Sequence, residues 1–414
     1  MIAHAVAKEN TSAYLEESKV PKQGDVVILL ANDLKTQINS FTKHTPSLEI
    51  FDTCTFAFLE ALSKAFLREK AHSEIVALGF WLRRSHLLQI KERFLQKHHD
   101  ELLFARGTVF HIAPSNVDTI FVYSLILSLL AGNYNIVRIS ERSNEQLERI
   151  LTLFTSTLRS HPLVAQHITL VRYGYDDTIT KKFSSLCDVR IIWGGDATIE
   201  HIRSIPIPAT AIELTFADKF SFALIDMEKI TLNDDFFERL YRDSFTFLQN
   251  ACSSVRCICW INASREKKEL FWERFGDFCA KKMPQIQTKQ TIDKLTALTL
   301  LVAKEKKKIR YKNHIHRIAF EDIHELEYER HCGFGLFYEV DIDSLDTLFG
   351  YATRKNQTLC VAGISKEAIV TSMQKNRVQG FDRIVRLGEA NSFAPIWDGY
   401  DILSSLVRVV DVDI

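Results

Sequence analysis

Residues 107–140, GTVFHIAPSNVDTIFVYSLILSLLAGNYNIVRIS, carry the reading that decides the fold. Residues 107–112 are rich in β-branched and aromatic side chains, the composition of a strand. Ala113-Pro114-Ser115-Asn116 breaks that run with a proline and two turn-forming residues. Residues 117–130 are apolar almost throughout and read as a buried helix, closed by the cap Ala131-Gly132-Asn133. Residues 135–140 form a second strand. Two strands joined by a helix of this length pair in parallel, and their crossover is right-handed.

The same alternation continues downstream. A helix over 144–160, a strand over 168–173, a helix over 177–186 and a strand over 189–193 lead into Gly194-Gly195-Asp196 and a helix over 198–205. Together they predict a doubly wound α/β domain, which places ligands at the carboxyl ends of its strands. Upstream, residues 1–23 are polar, 25–31 suggest a short strand, and 52–99 are helical, with Phe58, Ala61, Leu62, Ala65 and Phe66 repeating at three and four. Downstream, strand-like runs at 211–214 and 221–226 precede a second α/β layer. It has strands at 333–341, 358–364 and 383–387, helices at 344–355 and 365–375, and a turn at Trp397-Asp398-Gly399. Residues 402–411 read as a terminal strand whose edge suits pairing with another subunit.

The chain has 414 residues, enough for two or three domains. Its 52 basic and 52 acidic side chains balance, which argues against bulk nucleic-acid binding. The longest apolar run, residues 120–131, is too short to span a bilayer, and the first residues lack the pattern of a secretory signal. Eight scattered cysteines with no CxxC pair fit a reducing cytoplasm. His314 and His316 sit in the charge-rich stretch 304–330, which reads as a solvated face. No third ligand is spaced to join them, so no metal site is expected. There is no GxGxxG and no GxxxxGK[ST], so neither common nucleotide fingerprint is present.

Residues 245–260, FTFLQNACSSVRCICW, hold the candidate for chemistry. A helix ends at Gln249-Asn250, small residues surround Cys252, and an alternating apolar strand follows. A cysteine in such a turn can present its sulfur at the floor of a cleft, where backbone N–H groups tune the thiol. A buried, inert cysteine is the competing reading.

Several segments, in order, resemble one family. They are GFWLRR (79–84), GTVFHIAPSNV (107–117), LLAGNYNIVRIS (129–140), IIWGGDATIEHIR (191–203), QNACSS (249–254), NQTL (356–359) and DRIVRLGEANSF with WDGYDI (382–402). The set is similar to the acyl-CoA reductases of the LuxC type, within the aldehyde dehydrogenase superfamily. The resemblance implies an aldehyde dehydrogenase-like α/β fold with a variant Rossmann cofactor domain. It divides the chain into an N-terminal helical region (1–103) packing on the cofactor domain, a dinucleotide-binding domain (104–213), a catalytic domain (214–388) and a C-terminal return and oligomerisation segment (389–414).

It implies reduction of a fatty acyl thioester, such as acyl-CoA, to a fatty aldehyde by NADPH, with NADH as the other carrier. Cys252 matches the nucleophile that forms an acyl thioester. Asn116 matches the amide of an oxyanion hole, beside the backbone N–H of Cys252; an Asx turn or helix cap is its other reading. Ala113, Pro114, Arg138, Ser140, Gly194 and Gly195 match cofactor contacts. Glu213 matches the superfamily's general base, although a reductase gains nothing from activating water, so it is either moved, kept neutral or reused as a proton donor. A strand-end carboxylate bonded to nearby backbone is the alternative. Three positions depart from the pattern. Leu-Thr-Phe follows Glu213 where the superfamily has Leu-Gly-Gly, Val255 replaces a usual proline, and residues 329–335 show no clear ribose-binding glutamate signature.

The family also implies a homo-oligomer and a possible acyl-protein synthetase partner. Two further readings remain: a non-catalytic or partner-dependent acyl-carrying subunit, and an aldehyde-oxidising dehydrogenase.

Overall fold

A computed structural model describes residues 27–30, 47–283, 288–305 and 308–413. The polar stretch 1–23 and the ends of the expected 25–31 strand lie outside them. In chain order the strands are β1 (Val27–Leu30), β2 (Leu102–Ala105), β3 (Thr108–Ile112), β4 (Tyr134–Ile139), β5 (Ile168–Arg172), β6 (Val189–Trp193), β7 (Ile212–Phe216), β8 (Phe220–Asp226), β9 (Val255–Ile261), β10 (Ile309–Lys312), β11 (Ile315–Phe320), β12 (Leu336–Asp341), β13 (Asn356–Ala362), β14 (Arg383–Arg386), β15 (Ile396–Trp397), β16 (Tyr400–Asp401) and β17 (Val407–Val410).

The first sheet has the order β1-β5-β4-β3-β6-β7. Every pair in it is parallel except β1 with β5. From β3 the chain moves outward to β4 and β5, then returns to the other side of β3 for β6 and β7. The strand order therefore reverses between β3 and β6, and their carboxyl ends open a crevice there. Every residue of β3 and β6 is buried, as a parallel sheet covered on both faces requires. Helix Ile120–Leu130 buries all but its first residue, because it is sandwiched between the sheet and the N-terminal helices. Those helices, Thr53–Leu67, Ser73–Trp81 and Arg84–Lys97, share its core through Phe58, Leu62, Leu78 and Phe94.

The second sheet has the order β10-β11-β12-β9-β8-β13-β14, parallel except at β10. Helices Asp234–Phe245 and Arg265–Ala280 cover one face with Phe237, Leu240, Phe271 and Phe275. Helix N-termini are set by side-chain caps at Asp52, Asn144, Asp176, Asn233, Ser264 and Ser365.

Several expectations shift. The boundary expected between 213 and 214 falls inside β7, and the chain crosses from one sheet to the other at residues 217–219. The helix expected from 117 begins at Ile120, because residues 117–119 form a turn closed by the Ile120 N–H donating to Val117 O. The terminal stretch 402–411 is not one strand. Asp401 caps the short helix Ile402–Ser405, and only β17 pairs, antiparallel with β2. The charged stretch 304–330 holds β10 and β11 rather than a solvated face, with Ile315, Ile318 and Phe320 in the core. Helix Thr288–Glu305 and β2 were not anticipated. No described helix is long and apolar enough to cross a membrane.

Candidate active site

The linker at residues 217–219 leaves the carboxyl end of β7 and enters the amino end of β8. The cysteine turn, residues 251–254, lies at the amino end of β9, which is hydrogen-bonded to β8. The carboxyl edge of the first sheet therefore faces the amino edge of the second, and Cys252 lies between them.

The turn is built by a local distortion. Leu248 and Gln249 both take left-handed φ values, 48° and 62°, and swing the chain off helix Asp234–Phe245. Such conformations cost free energy for residues other than glycine, so the surroundings must hold them. Gln249 is fully buried and its side chain does so. Nε2 donates to Val255 O (3.1 Å) and Leu336 O (2.9 Å), and Oε1 accepts from Gly335 N (2.7 Å). Gly335 itself has φ of 87°, and a Cβ there would meet His314 O at 2.7 Å. Arg256 Nε donates to Gln249 O (2.9 Å), and Ser221 Oγ donates to Cys252 O (2.5 Å).

Cys252 is partly exposed. Its thiol donates toward Asp218 Oδ1 (3.6 Å) and lies 3.9 Å from Ala217 O, while the backbone N–H of Lys219 donates to the sulfur. Burial pushes the thiol up to about 11; the Asp218 and Asp398 carboxylates add to that, while Arg256 and the Lys219 N–H oppose it. Asn116, exposed in the turn after β3, donates its Nδ2 to Asn250 O at 3.4 Å. The structure thus brings the carboxamide and the cysteine turn together across 134 residues of chain.

Glu213 does not join them. Its carboxylate pairs with Arg190, a neighbour on β6, and with Arg203 Nε at 3.1 Å. Along a strand, four residues from Ala217 amount to roughly 13 Å. Two guanidinium groups hold it on the strand, one of them almost fully buried, where the alternative reading expected bonds to nearby backbone.

Behind the cysteine lies a buried polar group. Lys219 Nζ reaches Asp382 (3.4 Å) and Asp398 (3.8 Å), and Gln357 Nε2 donates to Asp398 Oδ1 (2.7 Å). Burial pushes Asp398 up to about 6, against the opposing pull of Lys219. Lys355, just before β13, donates to Asp218 O (3.4 Å) and pairs with Asp196 at the start of helix Asp196–Arg203. Asp218, Lys219, Lys355 and Asp398 were missed as site residues. Asp398 sits in a motif quoted for the resemblance, but no sequence pattern marks the linker as touching the sulfur.

Of the cofactor contacts expected from sequence, Ala113, Pro114, Ser140, Gly194 and Gly195 lie at the carboxyl ends of β3, β4 and β6. Ala113, Pro114 and Ser140 line a shallow cleft together with Ser115, Asp118 and Arg142. Gly194 and Gly195 emerge from β6, and Gly195 is the N-cap of helix Asp196–Arg203 with no side chain to satisfy it. A Cβ at Gly195 would meet nothing within 4 Å, so open space lies above backbone N–H groups that favour an anion. These residues fit a dinucleotide. Arg138 is differently used: it donates to Tyr173 O and Gly174 O, both at 3.2 Å, and lies over the rings of Tyr173 and Tyr175. Arg142 is the cation in the cleft wall. Among the described residues no cluster of His, Cys, Asp and Glu is placed to hold a metal ion.

Two sheets facing across a cysteine-bearing crevice define an aldehyde dehydrogenase-like fold. Solved structures agree. An indole-3-acetaldehyde dehydrogenase of P. syringae, a mutant in complex with NAD+ and IAA, superposes with a TM-score of 0.68 at 10% identity, covering 91% of this chain and 86% of its own. Lactaldehyde dehydrogenase from Escherichia coli gives 0.63 at 12% identity, over 91% and 88%. Within that fold, residues 29–409 match the acyl-CoA reductase (LuxC) family, and the chain belongs to it. A long-chain acyl-protein thioester reductase of Photorhabdus luminescens is 24% identical over 313 residues, which are 74% of this chain and 63% of that protein. A protein of the same description from Aliivibrio fischeri is 25% identical over 126 residues, 30% of this chain and 26% of its own. The chain thus matches less than two thirds of the length of these relatives.

Proposed function

We propose that this protein reduces a fatty acyl thioester to a fatty aldehyde through an acyl group carried on Cys252. The observation that supports it most is the position of that sulfur, partly exposed where the two sheets face each other, with the Asn116 amide bonded to the adjoining carbonyl of Asn250. A thiol suits this substrate because exchange between two thioesters is nearly balanced. The carbonyl oxygen becomes an oxyanion on attack, and the Asn116 amide and the Cys252 N–H are the donors for it. Ala113, Pro114, Ser140 and Arg142 would hold the dinucleotide, with Gly194 and Gly195 at its phosphates. A bound nicotinamide supplies hydride to the acyl carbon. We take NADPH as the carrier, with Arg142 rather than Arg138 as the cation for a ribose phosphate; NADH is the alternative.

The descriptions of the relatives favour an acyl group delivered on a protein thioester over free acyl-CoA, and an acyl-protein synthetase is the partner that would supply it. Glu213, the carboxylate that the oxidising alternative would use to activate water, is tied to Arg190 and Arg203. Free cysteines throughout fit a cytoplasmic setting.

The test is mass spectrometry of the protein after acyl-CoA, or an acylated carrier protein, without cofactor. An acyl adduct on Cys252 that NADPH converts to aldehyde is expected, and none in Cys252→Ala. Aldehyde formation by Cys252→Ala, or free acid from aldehyde and NADP+ as the main reaction, would refute the proposal.

A further inference from the structure

The thiol of Cys252 must lose a proton as it attacks, and the base expected from sequence is elsewhere. We propose that Asp218 is the catalytic base that takes this proton and returns it to the departing thiol. The proposal rests on the acyl-thioester reading above.

The geometry carries it. The Cys252 sulfur lies 3.6 Å from Asp218 Oδ1, within donor reach of the carboxylate, and the backbone N–H of the next residue, Lys219, donates to the same sulfur. Asp218 and Lys219 belong to the linker between the two sheets, so carboxylate and sulfur are set by backbone rather than by a long flexible side chain. Lys355 fixes that linker by donating to Asp218 O. The other charged groups acting on the sulfur are differently engaged. Arg256 donates to Gln249 O and Ala251 O, while Asp398 is held by Gln357 and Lys219. Among the described residues Asp218 is the carboxylate hydrogen-bonded to Sγ, and it is exposed.

A thiol pushed up to about 11 is almost wholly protonated at neutral pH. A preformed thiolate is therefore scarce, and proton removal must accompany attack. In the step, the S–H proton moves to Asp218 while sulfur bonds to the acyl carbon and the carbonyl oxygen gains negative charge. When that intermediate collapses, the carbon–sulfur bond to the leaving group breaks. Asp218 gives the same proton to the leaving thiolate. One thioester and one thiol become another thioester and another thiol, and no oxidant or reductant takes part.

The test separates base from mere charge. Wild type, Asp218→Asn and Asp218→Glu are given acyl-CoA without cofactor, and acylation of Cys252 is timed by quenched-flow peptide mass spectrometry from pH 6 to 10. Alkylation of Cys252 by iodoacetamide is timed over the same range. General bases contribute on the order of 100-fold or more, so Asp218→Asn should acylate roughly 100-fold more slowly at neutral pH. Its alkylation should instead speed up, because removing the carboxylate charge lowers the thiol pKa. Asp218→Glu should recover about tenfold of the lost acylation. Acylation that rises with alkylation in Asp218→Asn, or no recovery in Asp218→Glu, overturns the proposal. A wild type that alkylates but never acylates overturns the acyl-thioester reading, and this one with it, and is told apart by the wild-type trace alone.

Discussion

At the scale of the residue, identical carboxyl groups have been given opposite characters. Asp218 is exposed against a sulfur, Asp398 is buried and pushed up to about 6, and Glu213 is tied to two arginines. Each character follows from neighbours, not from the side chain itself. Removing the charge of Glu213 strands the buried guanidinium of Arg190, a loss of about 3 kcal/mol by analogy with other broken buried pairs. Glu213→Gln should therefore unfold at lower denaturant while acylating Cys252 at the wild-type rate. A variant of undiminished stability that acylates tenfold slower would return Glu213 to the catalytic role. Asn116 should behave in the reverse way. Its side chain is exposed and bears on one backbone carbonyl, so stability should barely change in Asn116→Ala. Loss of an oxyanion donor typically lowers turnover about 100- to 1,000-fold. Alkylation of Cys252, which forms no oxyanion, should proceed normally, and a parallel fall in both rates would show that Asn116 merely shapes the turn.

At the scale of the element, the cysteine turn is held by Gln249 more than by its own sequence. Gln249→Ala leaves Gly335 N–H, Val255 O and Leu336 O without their partner in a buried place. Unsatisfied buried groups cost about 1–3 kcal/mol each, so a drop of roughly 3 kcal/mol or more in chemical denaturation is expected, together with slower acylation. A variant as stable as wild type would mean that water replaces the amide. The same comparison shows what the sequence could disclose. The strands β3, β4 and β6 were legible because burial on both faces leaves short runs rich in β-branched and aromatic residues. The strands β10 and β11 were not, because Arg310 and Arg317 pair with Glu269 of helix Arg265–Ala280, and Arg317 also with Glu339 of β12. In one dimension those charges look solvated. Cys252 was a candidate from its small-residue turn between helix and strand, and the family resemblance gave it and Asn116 their roles. The linker 217–219 stayed hidden because its meaning comes from which sheet ends it joins.

At the scale of the whole molecule, the two sheets are tied across the crevice by Lys355 with Asp196, and the C-terminal segment returns to the first core. Trp397, Ile402, Leu403 and Leu406 pack there with the N-terminal helices. That return ends in a two-stranded ribbon, β2 with β17, anchored by Arg106 donating to Ser405 O and Val407 O. The ribbon exposes Leu102 and Phe104 on one face, with Arg408 over the Phe104 ring. No further strand pairs with either edge among the described residues. Unpaired strand edges beside exposed apolar side chains template association, and a homo-oligomer closed by a second copy would cover both. Leu102→Glu combined with Phe104→Glu places charge on that face without touching the core. The double variant should elute as a monomer in light-scattering chromatography while wild type elutes as a multiple of it. Because both side chains are already exposed, the variant's midpoint in urea at low protein concentration should match that of wild type. An unchanged mass would place the subunit contact elsewhere on the molecule, and a monomeric wild type would remove the ribbon's role in assembly.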